Sequence, residues 1–292
     1  MFHSFQDKLE LPNGVQMPCM SFGTWQVPND TPLLSAVSSA IQFGYRSFDT
    51  AQIYSNAATL GRAIRDSMIP REEFFLTSKI WVTHRHPEGV RKALAEMLEQ
   101  LKTSYLDLLL IHWPTAQGEP MIWQSLNVGT WRAMEELYEE GRVRAIGVCN
   151  FLPHHLVPMM ARARIAPMVN QLELHPGYPQ NAAVNFCFRH NIAIQAWSPL
   201  GRGMLVRNPT IMAIAQRLNM TPAQVALRWS LDHGFMPIVK ALDMQHQKLN
   251  MEVFKLSLDK EAMEELDAMP QTAFSGLHPD TVLSLIHISE PT

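Results

Sequence analysis

The chain has 292 residues, 47% hydrophobic and 17% charged, which is enough apolar material for a substantial core and excludes a disordered chain. A net charge of −3 gives no overall pull toward nucleic acid or a membrane surface, so any anionic ligand needs a local basic cluster. Three scattered cysteines, Cys19, Cys149 and Cys187, are too few for a disulfide framework or a zinc site; with no signal-peptide pattern and no membrane-length apolar window, they point to a cytoplasmic protein.

Residues 9–11 and 15–17 flank Pro12-Asn13-Gly14, whose Asn-Gly pair predicts a hairpin. Residues 20–25 read as the first strand of the main sheet, and Asp30 is placed to cap a helix carrying Pro32 in its first turn. A strand through Ser47 and Phe48 stops at Asp49-Thr50, and a helix follows from Ala57. Residues 74–79 form the third strand. Val90, Leu94, Met97, Leu98 and Leu101 then recur at helical spacing. Residues 105–111 are nearly all apolar, as in a parallel strand buried on both faces.

Residues 128–140 read as a helix ended by Gly141, 143–148 as a strand and 154–164 as a helix. Residues 168–172, 192–197 and 235–239 supply three more strands, with helices at 182–189, 210–217 and 223–233 between and around them. Thr221-Pro222-Ala223-Gln224 has the capping-box pattern. Strand–helix alternation of this length predicts an α/β protein, a (β/α)8 barrel in one domain over residues 1–282, with the hairpin as a plug at the barrel bottom. Residues 283–292 fit no element; they read as translated sequencing adapter rather than part of the fold, the other reading being an amphipathic tail.

Four polar residues stand at or just after strand ends: Asp49, Tyr54, Lys79 and His112. Singly, each has a plain structural reading, such as a helix cap, a rim aromatic, an ion pair or a core histidine. Together they converge at the carboxyl end of the barrel, where such folds place their chemistry. Tyr54 is a neutral proton donor at pH 7, a lysine nearby favours its phenolate, Asp49 would keep that lysine charged, and His112 can donate to a carbonyl oxygen. Use of Lys79 as a Schiff base in an isomerase or aldolase is disfavoured, because Asp49 and Tyr54 would keep the amine protonated.

The stretch from Gly44 to Gly61 and the run Gly141-Arg142-Val143-Arg144-Ala145-Ile146-Gly147-Val148-Cys149-Asn150 resemble the two signatures of the aldo-keto reductases. The Cys149-Asn150-Phe151 variant is most similar to the bacterial 2,5-diketo-D-gluconate reductase-like branch. The resemblance implies hydride transfer from NADPH, with NADH also used, to a small polar aldehyde, ketone or keto-sugar acid, of the 2,5-diketogluconate or methylglyoxal kind. It gives the same four residues the catalytic roles. It implies a monomer whose partner is a small-molecule carbonyl, with no nucleic acid, membrane or metal. A regulatory relative with weak turnover is the alternative, and the intact set of four argues against it.

No Gly-x-Gly-x-x-Gly follows a strand, so a Rossmann site is excluded. The resemblance instead places the nicotinamide against Cys149, Asn150, Gln171 and Trp197, and the pyrophosphate near Ser198, Leu200, Gly201 and Gly203. At the adenosine end Lys240 and Asn250 match. The usual serine is Ala241, the usual arginine is His246, and Asp243 adds a negative charge, so weak discrimination between cofactors is expected. Ala57 replaces the usual acid of the first signature. Trp25, Ile53, Trp81 and Trp113 are expected to line an apolar substrate pocket, or else to be rim packing.

Overall fold

The structure is a computed structural model and describes residues 2–116 and 122–281; the expectation for residues 283–292 lies outside the described residues. Strands β1 (Lys8–Glu10) and β2 (Gln16–Pro18) pair antiparallel around Gly14, whose φ of 83° suits the turn. Asn13 donates from Nδ2 to the Arg144 carbonyl at 2.8 Å, just ahead of a barrel strand, so the hairpin sits at the amino-terminal end of the barrel.

Eight strands, β3 (Ser21–Gly23), β4 (Ser47–Asp49), β5 (Phe75–Ile80), β6 (Leu108–Ile111), β7 (Ile146–Cys149), β8 (Val169–Glu173), β9 (Ala193–Trp197) and β10 (Met236–Val239), close a parallel barrel. β10 pairs with both β9 and β3, which completes the ring. β6 reads Leu-Leu-Leu-Ile and is buried at every position, because a parallel barrel strand has a packed interior on one side and helices on the other. The strands are shorter than the apolar runs: Leu106 and Val143 meet only in an isolated parallel bridge ahead of β6 and β7.

Ten helices are present among the described residues: α1 (Thr31–Gln42), α2 (Ala57–Asp66), α3 (Pro87–Leu101), α4 (Trp123–Glu139), α5 (Pro153–Met160), α6 (Asn181–Arg189), α7 (Pro209–Arg217), α8 (Pro222–Asp232), α9 (Met244–Glu252) and α10 (Lys260–Asp267). The apolar stripe of α3 is buried as its spacing predicts, and each such side chain contributes about 1.5–3 kcal/mol. Gly61 lets α2 approach α3 closely, since a Cβ there would lie 2.7 Å from the Leu101 backbone. The capping box of α8 forms in both directions: Thr221 Oγ1 accepts the Gln224 amide at 3.2 Å, and Gln224 Oε1 accepts the Thr221 amide at 3.0 Å.

One reading needs correction, and one helix was missed. Asp30 occupies the cap position of α1 with φ 62° and ψ −124°, but its carboxylate takes no first-turn amide. Asp243 is a helix cap, accepting the Gln245 and His246 amides at 2.8 and 3.1 Å, and the helix it opens, α9, was not legible. α9 buries only Gln247 and Asn250, so no apolar period announces it. Gln247 fixes it to α1 instead, donating to Ala36 O at 2.9 Å and accepting from Ser39 Oγ at 2.8 Å. After α10 the chain runs back over the barrel mouth as a strap, residues 270–281.

Candidate active site

Strand register sets the site. Asp49 ends β4, Lys79 is the penultimate residue of β5, and His112 directly follows β6. Cys149 ends β7, Gln171 lies within β8, and Trp197 ends β9. Every one of these positions is at the carboxyl end of the barrel, and all but Lys79 border a cavity of about 550 Å³.

Lys79 is fully buried, and its Nζ donates to Asp49 Oδ1 at 2.5 Å and to the Thr50 carbonyl at 3.0 Å. Burial alone would strip its proton, but the Asp49 carboxylate reverses this and holds the amine above its ordinary range. The other Asp49 oxygen accepts from Gln171 Nε2 at 2.9 Å. Gln171 also donates to Gln195 Oε1 at 3.0 Å, Gln195 reaches Ser21 Oγ at 3.4 Å, and Ser21 shares a 2.7 Å bond with Ser47. This polar chain through the barrel interior escaped sequence reading; the signal was a glutamine at position 195 inside a buried apolar strand.

Tyr54 sits half-buried after β4, its ring centroid 5.2 Å from Lys79 Nζ and 5.8 Å from the His112 ring. Burial pushes its phenol above the usual range, and the Lys79 charge pulls it down without prevailing. The lowering expected from Lys79 is therefore present but outweighed. Burial, and then Lys79, hold the His112 imidazole well below its ordinary pKa, so it is neutral at pH 7. His112 Nδ1 is buried without a hydrogen-bond partner. An unpaired acceptor costs less than an unpaired donor there, so the ring proton belongs on Nε2.

Asn150 adopts φ 65° and bridges three elements. Its Nδ2 donates to His112 O at 3.1 Å, and its Oδ1 accepts from Trp197 Nε1 at 2.8 Å. The Cys149 thiol faces Gln171 Oε1 at 3.6 Å, and burial pushes its pKa up, so it is an inert group.

Trp25 and Trp113 line the cavity, whereas Ile53 and Trp81 are outside its lining and pack with Trp113. Ser198, Leu200, Gly203 and Lys240 also line it. Gly201 does not; its Cα is turned toward Ala273, where a Cβ would come within 2.6 Å. His246, exposed in the first turn of α9, and buried Asn250 lie outside the cavity lining. Lining residues that sequence reading did not assign include Arg202 and Leu277. Leu277 belongs to the strap, which is pinned by Ser275 to both oxygens of Glu173 (2.9 and 2.6 Å) and by Thr115 Oγ1 to Pro279 O (2.6 Å).

The strap also brings Asp280 to His154 and His155, all three donor atoms within 4.8 Å of one another. They resemble a metal set, but His155 Nδ1 accepts the Leu152 amide at 3.1 Å. Its Nε2 then carries the proton, 2.8 Å from Asp280 Oδ1 but out of hydrogen-bond line with it, that oxygen being bonded by His154 Nε2 at 2.8 Å; a protonated nitrogen is no metal ligand. The group is a latch on the strap.

The wall formed by residues 198–203 has positive φ at Ser198, Gly201, Arg202 and Gly203, and a Cβ on Gly203 would meet nothing within 4 Å. With two cations beside open backbone, this side of the cavity suits an elongated anion such as a nicotinamide dinucleotide.

Comparison with known proteins agrees with this geometry. The model of the Aldo/keto reductase family matches residues 19–270. The chain is 40% identical over 280 residues to a glyoxal reductase of Bacillus subtilis, covering 96% of this chain and 99% of that one. It is 42% identical over 273 residues to a 9,11-endoperoxide prostaglandin H2 reductase of Trypanosoma cruzi, covering 92% and 94%. Among solved structures it is similar to an aldo-keto reductase enzyme from a Medee basin deep-sea metagenome library, with a TM-score of 0.87 and 36% identity over 94% of this chain and 99% of that one.

Proposed function

The chain belongs to the aldo/keto reductase family, and on that premise we propose that Tyr54, Lys79, Asp49 and His112 reduce small polar aldehydes and ketones, with NADPH preferred and NADH also accepted. It is an NAD(P)H-dependent oxidoreductase acting on carbonyl groups. Within that class the proposed substrates are 2-oxoaldehydes, supported by the glyoxal reductase relative, and keto-sugar acids, supported by the Cys149-Asn150-Phe151 variant. We further propose a cytoplasmic monomer built as a single barrel domain.

When bound, the reduced nicotinamide supplies the hydride. Asn150 and Gln171 would hold its carboxamide, and Trp197, tied to Asn150, would offer a ring face. Tyr54 holds the proton that the carbonyl oxygen takes up. The charge of Lys79 favours release of that proton, and Asp49 keeps the charge in place. His112, neutral and protonated on Nε2, donates to the carbonyl oxygen and orients it. Trp113 and Leu277 supply apolar wall that excludes water.

The observation that carries this reading is a buried Lys79–Asp49 pair whose carboxylate borders the cavity together with Tyr54 and His112. A panel of glyoxal, methylglyoxal, simple aldehydes and keto-sugar acids, followed by nicotinamide absorbance with each cofactor, tests it. The expected result is turnover of the 2-oxoaldehydes, faster with NADPH. No oxidation of either cofactor by any carbonyl would overturn it.

A further inference from the structure

Gln195 stands in the middle of β9, fully buried, and does not border the cavity. An amide in a dry interior is costly to desolvate unless its groups are bonded, and an apolar side chain would fill the same space without that cost. What the amide adds is direction, since one end accepts and the other donates.

That direction is imposed from Asp49. Its carboxylate is paired with Lys79 through Oδ1 and can only accept, so the group that Gln171 turns to Oδ2, at 2.9 Å, is its nitrogen. The second N–H of the same nitrogen goes to Gln195 Oε1 at 3.0 Å. Gln195 is fixed in turn, because its own nitrogen donates to Ser21 Oγ at 3.4 Å. Both donors of Gln171 are therefore taken up by the barrel interior. Gln171 borders the cavity, and the polar atom left to it is Oε1, whose near neighbour is the Cys149 thiol, a weak donor 3.6 Å away. Asn150 is arranged alike. Its Nδ2 is engaged by His112 O at 3.1 Å and Cys149 Sγ at 3.2 Å, while its Oδ1 takes a single bond, from Trp197 Nε1. Acceptors, not donors, are what these two amides have left to offer.

We propose that Gln195 is a positioning residue: by taking the second N–H of Gln171 it keeps that side chain's carbonyl for the ligand, so that the chain reads a carboxamide through its NH2 group and not through its oxygen. The proposal rests on the nicotinamide-cofactor reading above. Without an acceptor at position 195 a Gln171 N–H is orphaned, and the amide gains by turning that N–H toward the cavity. The site then no longer tells an NH2 group from a methyl group.

The test is equilibrium binding to the full chain, by fluorescence titration or calorimetry, of NADPH and of its 3-acetylpyridine analogue, in which a methyl group replaces the carboxamide NH2. Wild type should bind the analogue about tenfold more weakly, because an acceptor is left facing a methyl group. In Gln195→Met that ratio should fall to about threefold or less. Gln195→Glu, which keeps an oxygen for the Gln171 N–H whether or not it is ionised, should hold the wild-type ratio. Ser21→Ala, which frees Gln195 at its far end, should lower the ratio by a smaller factor, and it decides the matter if Gln195→Met does not fold. An unchanged ratio in Gln195→Met, or in Ser21→Ala standing for it, would overturn the proposal even if thermal stability falls, since that is the mark of a residue that only packs. So would a ratio lost equally in Gln195→Glu, or a wild type that binds both compounds alike. A wild-type chain that binds neither would overturn the cofactor reading beneath it.

Discussion

Replacing Asp49 with asparagine should destabilise the barrel by more than its small change in shape suggests. The Lys79 side chain has no solvent exposure, and Asp49 is its only anionic partner among the described residues. Asparagine keeps the volume but leaves the ammonium with the Thr50 carbonyl and an amide dipole. Breaking a buried pair in this way costs about 3–5 kcal/mol. The pH dependence carries the same signature. In wild type the Lys79 pKa is raised on folding, so its contribution is fully present below about 10.4, the unfolded value, and is lost only as pH rises through the folded one. In Asp49→Asn the unpaired amine is pushed the other way, and the neutral form is tolerated better. The difference from wild type should therefore shrink as pH rises from 7 toward 10. Adding Lys79→Met should recover most of the loss. Urea unfolding of wild type, both single variants and the double variant measures this. A cost for Asp49→Asn below about 1 kcal/mol, or no recovery in the double variant, would refute the argument that the pair is held against a desolvation penalty.

Tyr54→Phe should lower turnover by a factor on the order of 10² or more, with cofactor Kd within about twofold of wild type; near-native reduction rates would remove Tyr54 as the proton donor. The latch on the strap should open in acid. Burial first, and then His154, lower the His155 pKa to about 4, so between about pH 6.5 and 4 the open strap takes up a proton that the closed strap refuses. Asp280, lowered by its histidine partners against the effect of burial, loses its contribution in the same direction. Hydrogen exchange at Leu277 and Asp280 should accelerate over that window, and Asp280→Asn should accelerate it at neutral pH; exchange independent of pH after correction for intrinsic rates would count against the latch. His246→Arg should raise the ratio of kcat/KM for NADPH over NADH by about tenfold or more, since it adds a forked, permanent cation to α9. An unchanged ratio would place the 2′-phosphate elsewhere.

The barrel was legible because its buried strands are continuous apolar runs and its helices are amphipathic. β6 and α3 follow from spacing alone. The strand-end positions of Asp49, Lys79 and His112 were legible because a polar side chain at the end of an apolar strand has few uses. What escaped has no period to give it away. α9 is fixed by Gln247, a polar side chain with partners on another element. The strap acts through contacts that span long stretches of chain, as between Thr115 and Pro279. Arg202 looked like one more loop cation, and only the arrangement of two loops in space puts it on Trp25.

The chain of side chains from Ser47 and Ser21 through Gln195 and Gln171 to Asp49 governs what can change in this protein. Its members are buried, and each satisfies the next. Swapping any one for an apolar residue orphans a neighbour in a dry interior, at about 1–3 kcal/mol. A change at Ser21, which does not border the cavity, would thus be felt through two glutamines at Asp49. The loops above are joined at separate points instead, among them the Asn56–Thr24 and Trp197–Asn150 bonds, the strap anchors and the Arg202–Trp25 contact. Selection is free to redraw the mouth for a new substrate while the floor stays as it is, and variation should pool in the rim.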